Sequence, residues 1–249
     1  MKKIGLLGGM AWPSTVDYYR GICAGANAYY RERGATEPLP VPWITIESVN
    51  IAETRALRGV EGDEISWRAY DAVLRATMLR LEAAGCEVLA MASNTPHNRL
   101  HAFCDDLSVP VVSILDSSAK VAIETGMNRA LVLGTSVTMR GSHYPRVLAA
   151  NGLEALPQRS DVEIDRMQSL IDTEFYEGGT SAGKSGMLEI CHAAVDQPDN
   201  TVVLLACTEL PLAYPKNLDD PAFDADGFTF VNTGAAHVNA ILDAALDRR

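Results

Sequence analysis

Two apolar runs in the sequence end in residues that could move a proton. The run 88–92 is followed by Ser93, and the run 202–206 is followed by Cys207. Runs of this kind are typical of buried parallel strands, and open α/β sheets bind their ligands at the carboxyl ends of such strands. A thiol needs only modest tuning to act as an acid or base near neutral pH, whereas a hydroxyl needs an activating group. We therefore expect Ser93 and Cys207 to face each other across one active site.

Composition restricts the class of protein. The chain has 249 residues and a formal net charge of −11, without a basic patch, which argues against a nucleic-acid partner. A few local arginines could still bind an anionic substrate. The apolar run near the N-terminus is too short for a signal peptide, and no stretch reaches the length of a membrane span. The five cysteines are odd in number and lack C-x-x-C spacing, so we expect no metal site and no disulfide framework. With no predicted membrane span or signal peptide, we also expect no membrane partner and a cytoplasmic location.

Predicted strands alternate with predicted helices along the chain, which indicates an α/β fold with parallel sheets. The small-residue segment 178–186 is predicted to be a mobile loop. The predicted strands are 4–7, 43–46, 88–92, 111–114, 129–133, 202–206 and 229–231.

A weak internal repeat suggests how these strands are organised. The strand and glycine turn at 4–9 resemble 131–135, and the strand at 88 resembles the strand at 202. A duplication predicts two similar Rossmann-like lobes related by a pseudo-twofold axis, with the site in the interlobe cleft. We expect an N-terminal lobe of residues 1–100 plus 214–249 and a C-terminal lobe of residues 101–213.

Several residues have both a functional and a purely structural interpretation. The glycine turn at 8–9 either lets a substrate approach the backbone or only connects a strand to a helix; it lacks the G-x-G-x-x-G dinucleotide pattern. Ser93 either acts in proton transfer or only hydrogen-bonds substrate or strand backbone. His97 either assists Ser93 or is an exposed histidine in a first helical turn. The four cysteines other than Cys207 are expected to be inert thiols in the core.

Taken together, the motifs resemble the aspartate/glutamate racemase superfamily, and in particular its aspartate racemase branch. The resemblance covers nearly the whole chain. The segments that carry it are 4–12 with Ser14, Thr15, Tyr18 and Tyr19; 48–50; 94–97; 133–135 with Thr138, Met139 and Tyr144; 207–209; and 232–233 with His237.

The resemblance implies cofactor-independent racemisation of aspartate or glutamate by removal and return of the α-proton. It makes Cys207 the main acid/base, with Ser93 opposite, and it implies a homodimer. Hydroxyl and backbone donors would hold the α-carboxylate and stabilise the enolate. Two arginines could clamp a second carboxylate, although either could equally be a solvated surface residue. The implied substrate-binding residues are Met10, Arg58, Asn94, Thr95, Thr135, Arg166, Thr208 and Glu209.

Two departures from the family pattern leave the activity open. Ser93 stands where the first catalytic cysteine is found, and Asn232 stands where an aspartate is found. The resemblance is therefore compatible with three functions. The protein is a racemase that is slow or biased to one enantiomer, a one-cysteine decarboxylase of a malonate-type acid, or a non-catalytic small-molecule binding protein.

Overall fold

Strands and helices alternate along the chain in the computed structural model, which describes residues 1–60, 62–157, 159–176 and 178–246. The chain divides into two units. The first comprises Met1–Ser113 and His237–Arg249, and the second comprises Ile114–Ala236. Within the described residues, no helix is both long and apolar enough to span a bilayer.

The first unit is built on a three-stranded parallel sheet with the order β2-β1-β3. Apolar residues at helical spacing on the first helix, Tyr18, Ile22 and Ala26, are buried against this sheet, as their periodicity predicts. The strands and helices are β1 (Ile4–Gly8), α1 (Trp12–Glu32), β2 (Ile44–Ser48), α2 (Ile51–Ala56), α3 (Arg68–Ala83), β3 (Val88–Met91) and α4 (Leu100–Phe103), with a 3₁₀ turn at Thr95–Arg99.

The second unit contains a five-stranded sheet with the order β5-β4-β6-β8-β7. All its strands run parallel except β7, which pairs antiparallel with β8 at the edge. Its elements are α5 (Ile114–Glu124), β4 (Arg129–Gly134), α6 (Ser136–Arg140), α7 (His143–Ala150), β5 (Glu154–Ala155), α8 (Asp161–Leu170), α9 (Ser181–Ala194), β6 (Thr201–Ala206), β7 (Ala222–Ala225) and β8 (Phe228–Asn232). The last helix, α10 (Thr233–Leu246), contributes to the core of the first unit from residue 238 onwards.

The repeat seen in the sequence corresponds to equivalent strands in the two sheets. In the first sheet β1 lies between β2 and β3, and in the second β4 lies between β5 and β6. The strand before Ser93 thus pairs in parallel with β1, and the strand before Cys207 pairs in parallel with β4. Both sheets therefore place the residue of interest beside the end of an internal strand.

The boundaries between the units lie later in the chain than the predicted ones. Residues 101–113 belong to the first unit because the segment 110–112 runs beside β3: Leu89 N donates to Pro110 O at 3.0 Å, and Val112 N donates to Leu89 O at 2.8 Å. Most of 214–249 belongs to the second unit because β7 and β8 extend its sheet. Residues 247–249 of the predicted N-terminal lobe lie outside the described residues.

Two local predictions were wrong. The predicted strand 111–114 makes only one bridge, between Leu89 and Val111, and α5 begins at Ile114. Most of the predicted loop 178–186 is helical, because α9 already begins at Ser181. Two further elements, β5 and β7, were not predicted.

Candidate active site

Cys207 follows β6, a strand in which every residue is buried, and its thiol meets a carboxylate. Cys207 Sγ lies 2.9 Å from Glu209 Oε2, and both side chains are buried. The Thr208 hydroxyl lies 3.2 Å from the same oxygen. The segment that the sequence singled out therefore forms one compact group containing a thiol and a carboxylate.

Burial and negative charge set the protonation state of this thiol. Desolvation, followed by the charge of Glu209 and its hydrogen bond with the thiol, raises the pKa of Cys207 well above the ordinary value of 9.0. The Glu209 backbone N–H opposes this rise, and the charge of Asp172 adds to it. Cys207 is consequently a thiol, not a thiolate, at neutral pH, and it donates its hydrogen bond to the Glu209 carboxylate.

Thr135 belongs to the same end of the second sheet. It follows β4, and the register pairs Gly134 with Ala206, so Thr135 and Cys207 come directly after paired residues. A Cβ at Gly134 would lie 2.6 Å from the Ala206 carbonyl oxygen, which shows how closely the two strands approach here. The Thr135 hydroxyl accepts the Thr138 N–H at 3.3 Å and so caps α6.

Asp172 and Gln168 were not identified from the sequence. Gln168 Nε2 donates to Asp172 Oδ2 at 2.9 Å, and Gln168 Oε1 accepts the Ser136 N–H at 2.9 Å, so the two side chains connect α8 to the start of α6. Asp172 lies in a π-helical turn, Ile171–Phe175, directly after α8. Such turns are frequent at functional sites, but they leave no distinct pattern in a single sequence.

Ser93 lies at the equivalent end of β3 in the first unit, and its surroundings differ. It is half-buried, its N–H donates to Met91 O at 2.8 Å, and its carbonyl accepts a hydrogen bond from His97 Nδ1 at 2.8 Å. The Ser93 hydroxyl makes no hydrogen bond to any residue that the structure describes. The two residues after it, Asn94 and Thr95, are buried.

His97 is buried, which excludes the interpretation as an exposed first-turn histidine. Its ring packs edge-to-face on His237 with centroids 5.4 Å apart, and His237 Nδ1 lies 2.9 Å from the Tyr18 hydroxyl. Burial lowers the pKa of His97 to about 4 and that of His237 to about 3, so both are neutral at physiological pH. Because His97 donates to the Ser93 carbonyl, it holds the backbone there and is not hydrogen-bonded to the hydroxyl.

Met10 lies in the loop after β1, and Arg58 lies in the loop between α2 and α3. Met10 is buried, with its sulfur 4.0 Å from the Thr54 hydroxyl of α2. Arg58 lies beside the buried Tyr70 of α3: burial raises the pKa of Tyr70, and the Arg58 charge opposes that rise. Arg58 Nε is nevertheless buried without a hydrogen-bond partner among the described residues. The Nε of Arg58 can therefore donate a hydrogen bond to a ligand oxygen.

Gly9 has a conformational reason for being glycine. Its φ of +82° lies in the left-handed region, and a Cβ there would lie 2.1 Å from the Val49 carbonyl oxygen. Both features concern the strand-to-helix turn itself, so they support the structural interpretation of the turn.

Arg166 has a structural partner outside the Cys207 group. It is exposed on α8 and forms an ion pair with Glu189 of α9. Asn232 also has a structural partner on each side of its amide: its Nδ2 donates to Leu218 O at 3.0 Å, and its Oδ1 accepts the Ala235 N–H at 3.2 Å. Among the described residues, no group of three or more His, Cys, Asp or Glu side chains is arranged to hold a metal ion.

The fold and these side chains define an α/β protein with a buried thiol beside a carboxylate at the carboxyl end of a parallel strand. The model of the Asp/Glu/hydantoin racemase family matches residues 7–241, and the chain belongs to this family. The resemblance drawn from the sequence is thereby confirmed.

Relatives in this family extend the comparison. The broad-specificity amino-acid racemase RacX of Bacillus subtilis is 29% identical over 153 residues, which cover 61% of this chain and 63% of that protein. The aligned part thus spans less than two thirds of this curated relative. The crystal structure of an aspartate racemase homologue from Pyrococcus horikoshii is 27% identical, with a TM-score of 0.74 over 99% of this chain and 100% of that one. An aspartate racemase from Picrophilus torridus shares the fold, with a TM-score of 0.71, 19% identity and coverage of 98% and 94%.

Proposed function

We propose that the protein is a cofactor-independent racemase of acidic amino acids, with Cys207 as its main acid/base and Ser93 on the opposite face of the substrate. The observation that carries this proposal is the buried hydrogen bond of 2.9 Å between the Cys207 thiol and the Glu209 carboxylate. Family membership and the full-length likeness to an aspartate racemase homologue support the reaction class.

The thiol–carboxylate pair supplies both halves of a proton transfer. Cys207 first passes its proton to Glu209, and the resulting thiolate removes the α-proton, leaving an enolate on the substrate. An amino-acid substrate favours this step because its α-ammonium charge lowers the pKa of a nearby thiol. The hydroxyls of Thr135 and Thr208 lie at the same end of the sheet and are suited to hold the carboxylate on which negative charge develops.

The opposite face is less well equipped for proton transfer. The Ser93 hydroxyl has no hydrogen-bond partner within the described residues, and the nearby His97 is committed to the Ser93 carbonyl. Cys207 therefore returns the proton to the face it came from more often than Ser93 delivers one to the other face. We expect exchange of the α-proton with solvent to be faster than inversion, and inversion to be slow.

The preference for a second carboxylate rests on Arg58. Its buried Nε has no partner among the described residues, and a guanidinium binds a carboxylate through charge-assisted hydrogen bonds. Arg166, whose charge is already paired with Glu189, is left out of this proposal.

The single thiol also favours a second candidate, the cofactor-free decarboxylation of a malonate-type acid. In that reaction loss of carbon dioxide creates the enolate, and one thiol suffices to protonate it. Release of carbon dioxide from a disubstituted malonate, without α-proton exchange in amino acids, would support this candidate over racemisation.

Deuterium exchange tests the main proposal. Each enantiomer of aspartate and glutamate is incubated with the protein in deuterated water, with proton NMR following loss of the α-proton and chiral chromatography following inversion. We expect exchange with at least one of them, and a loss of about 100-fold or more in a Cys207→Ser variant. Cys23→Ser, which alters a half-buried thiol of α1, is the matched control. Absence of exchange in all four acids would overturn the acidic substrate, and a parental rate in Cys207→Ser would overturn the role of Cys207.

A further inference from the structure

Arg99 is a buried arginine with two carboxylate partners in the first unit. Its side chain is 9% exposed; Nε and Nη2 bind the two oxygens of Asp71 at 3.1 and 2.6 Å, and Nη1 binds the oxygens of Glu64 at 2.9 and 2.8 Å. The hydrogen bonds with Asp71 and Glu64 raise the pKa of Arg99 above its ordinary value, against the effect of burial. A buried charge with this many partners is fixed in position.

The three residues come from three different parts of the chain. Arg99 ends the 3₁₀ turn that begins directly after Ser93 and Asn94, whereas Asp71 lies in the first turn of α3. Glu64 lies in the loop between α2 and α3, which also carries Arg58. One guanidinium therefore joins the turn after Ser93 to the loop of Arg58.

Aromatic packing continues this connection to Arg58. The Arg99 guanidinium carbon lies 5.2 Å from the centre of the Trp67 ring, and Trp67 Nε1 donates to the Val60 carbonyl of the loop at 3.0 Å. Trp67 packs edge-to-face on Tyr70 with ring centroids 5.5 Å apart, and Tyr70 lies beside Arg58.

We propose that Arg99 is a positioning residue that fixes the loop of Arg58 against the turn after Ser93, and that Glu64 is the contact through which the loop is released. The two partners differ in burial: the Asp71 side chain is 12% exposed and the Glu64 side chain 72% exposed. Asp71 neutralises Arg99 in the interior, whereas the Glu64 contact can open into water without leaving a buried charge unpaired. The consequence for substrate rests on the proposed function, because it takes Arg58 as the contact to the second carboxylate.

Hydrogen exchange of the loop tests the anchoring independently of activity. In a Glu64→Ala variant, we expect the amides between residues 57 and 67 to exchange about fivefold faster than in the parent, with other peptides unchanged. A fivefold change corresponds to the loss of ~1 kcal/mol from the free energy of opening the loop. Glu37→Ala removes another loop glutamate, which pairs with Arg31 at 3.0 Å, and should leave the loop of Arg58 unaffected. Arg99→Lys keeps the charge but loses the planar fork, and should also accelerate exchange there. Equal exchange in the parent, Glu64→Ala and Arg99→Lys would overturn the proposal.

Kinetics of the full-length protein test the consequence for the substrate. Glu64→Ala should raise KM for the acidic amino acid about fivefold while kcat is retained, because the loop then spends less time in the binding position. Alanine, which has no second carboxylate, should show no such change. Faster amide hydrogen exchange in the loop with an unchanged KM would overturn the positioning role. Faster amide hydrogen exchange in the loop, in a protein that turns over no amino acid, would support the anchoring and overturn the proposed function instead.

Discussion

The strand ends at Ser93 and Cys207 occupy equivalent places in the two sheets but have opposite chemical surroundings. The Cys207 thiol is 2.9 Å from a carboxylate, and the charge of Asp172 also acts on it. Ser93 has a neutral, buried His97 as its neighbour, and this histidine binds the Ser93 backbone at 2.8 Å. At one end a thiol donates to a carboxylate, and at the other a histidine holds the backbone of the strand end in place.

This difference shows that a repeated fold does not by itself repeat the surroundings of equivalent residues. The parallel pairing determines where each residue lies, because β3 ends beside β1 as β6 ends beside β4. The residues two and four positions later decide the chemistry: Glu209 lies two after Cys207, and His97 lies four after Ser93. The serine at position 93 is therefore only one of the differences between the two strand ends.

Because His97 and His237 are buried and neutral at the Ser93 end, we expect the protein to become less stable in acid. Burial lowers the pKa of His97 from an ordinary 6.5 to about 4, so below pH 6.5 the unfolded chain binds a proton that the native protein does not. The stabilisation is complete above pH 6.5 and is lost as the pH falls towards 4. Urea unfolding should show a loss of about 2 kcal/mol from His97 alone between pH 7 and pH 5.

A His97→Asn variant sharpens this prediction because asparagine can still donate to the Ser93 carbonyl but does not titrate. Its free energy of unfolding should fall less between pH 7 and pH 5 than that of the parent. His101→Gln, an exposed histidine of the same unit, is the control and should retain the parental pH dependence. An identical pH dependence in His97→Asn and the parent would contradict the assignment of the acid sensitivity to this pair.

Much of the site could be predicted from single runs of sequence. The buried strands before Ser93 and Cys207 have continuous apolar sequences, and their polar successors lie at the carboxyl ends as expected for parallel sheets. Thr135 and Thr208 lie near Cys207 for the same reason, since β4 and β6 are neighbours.

Features that depend on helix phase and packing could not be predicted. Met167 is buried on α8 while Arg166, one residue earlier, is exposed, so a shift of one residue decides whether an arginine can reach a site. The small residues and glycines of the segment 178–186 favour a loop when the sequence is considered alone. Instead, Gly183 and Gly186 lie where a Cβ would come within 3 Å of side chains of Glu174 and Leu170, so these glycines allow α9 to pack closely.

Removing the carboxylate at the Cys207 end should make the two ends more alike. In Glu209→Gln, the negative charge that raises the thiol pKa is lost, so the pKa of Cys207 should fall. The ultraviolet absorbance of the thiolate against pH, with Cys207→Ser as the reference, measures this shift. Exchange activity should fall at the same time because the proton acceptor is gone. Glu189→Gln, an exposed glutamate paired with Arg166, should change neither quantity. An unchanged pKa in Glu209→Gln would contradict the electrostatic role of Glu209.

Restoring a thiol at the Ser93 end tests how much of the asymmetry is due to that residue alone. Ser93→Cys should accelerate inversion about tenfold relative to exchange, since a thiol returns protons far more readily than a hydroxyl does. The gain should stay modest because the neighbour of this strand end, His97, remains bound to the backbone, whereas Cys207 has the Glu209 carboxylate beside its thiol. Chiral chromatography and α-proton NMR on the same samples give the ratio of inversion to exchange. Ser93→Ala is the control and should leave exchange from Cys207 intact while abolishing inversion. An unchanged ratio in Ser93→Cys would mean that the surroundings of this strand end, and not the missing thiol, limit inversion.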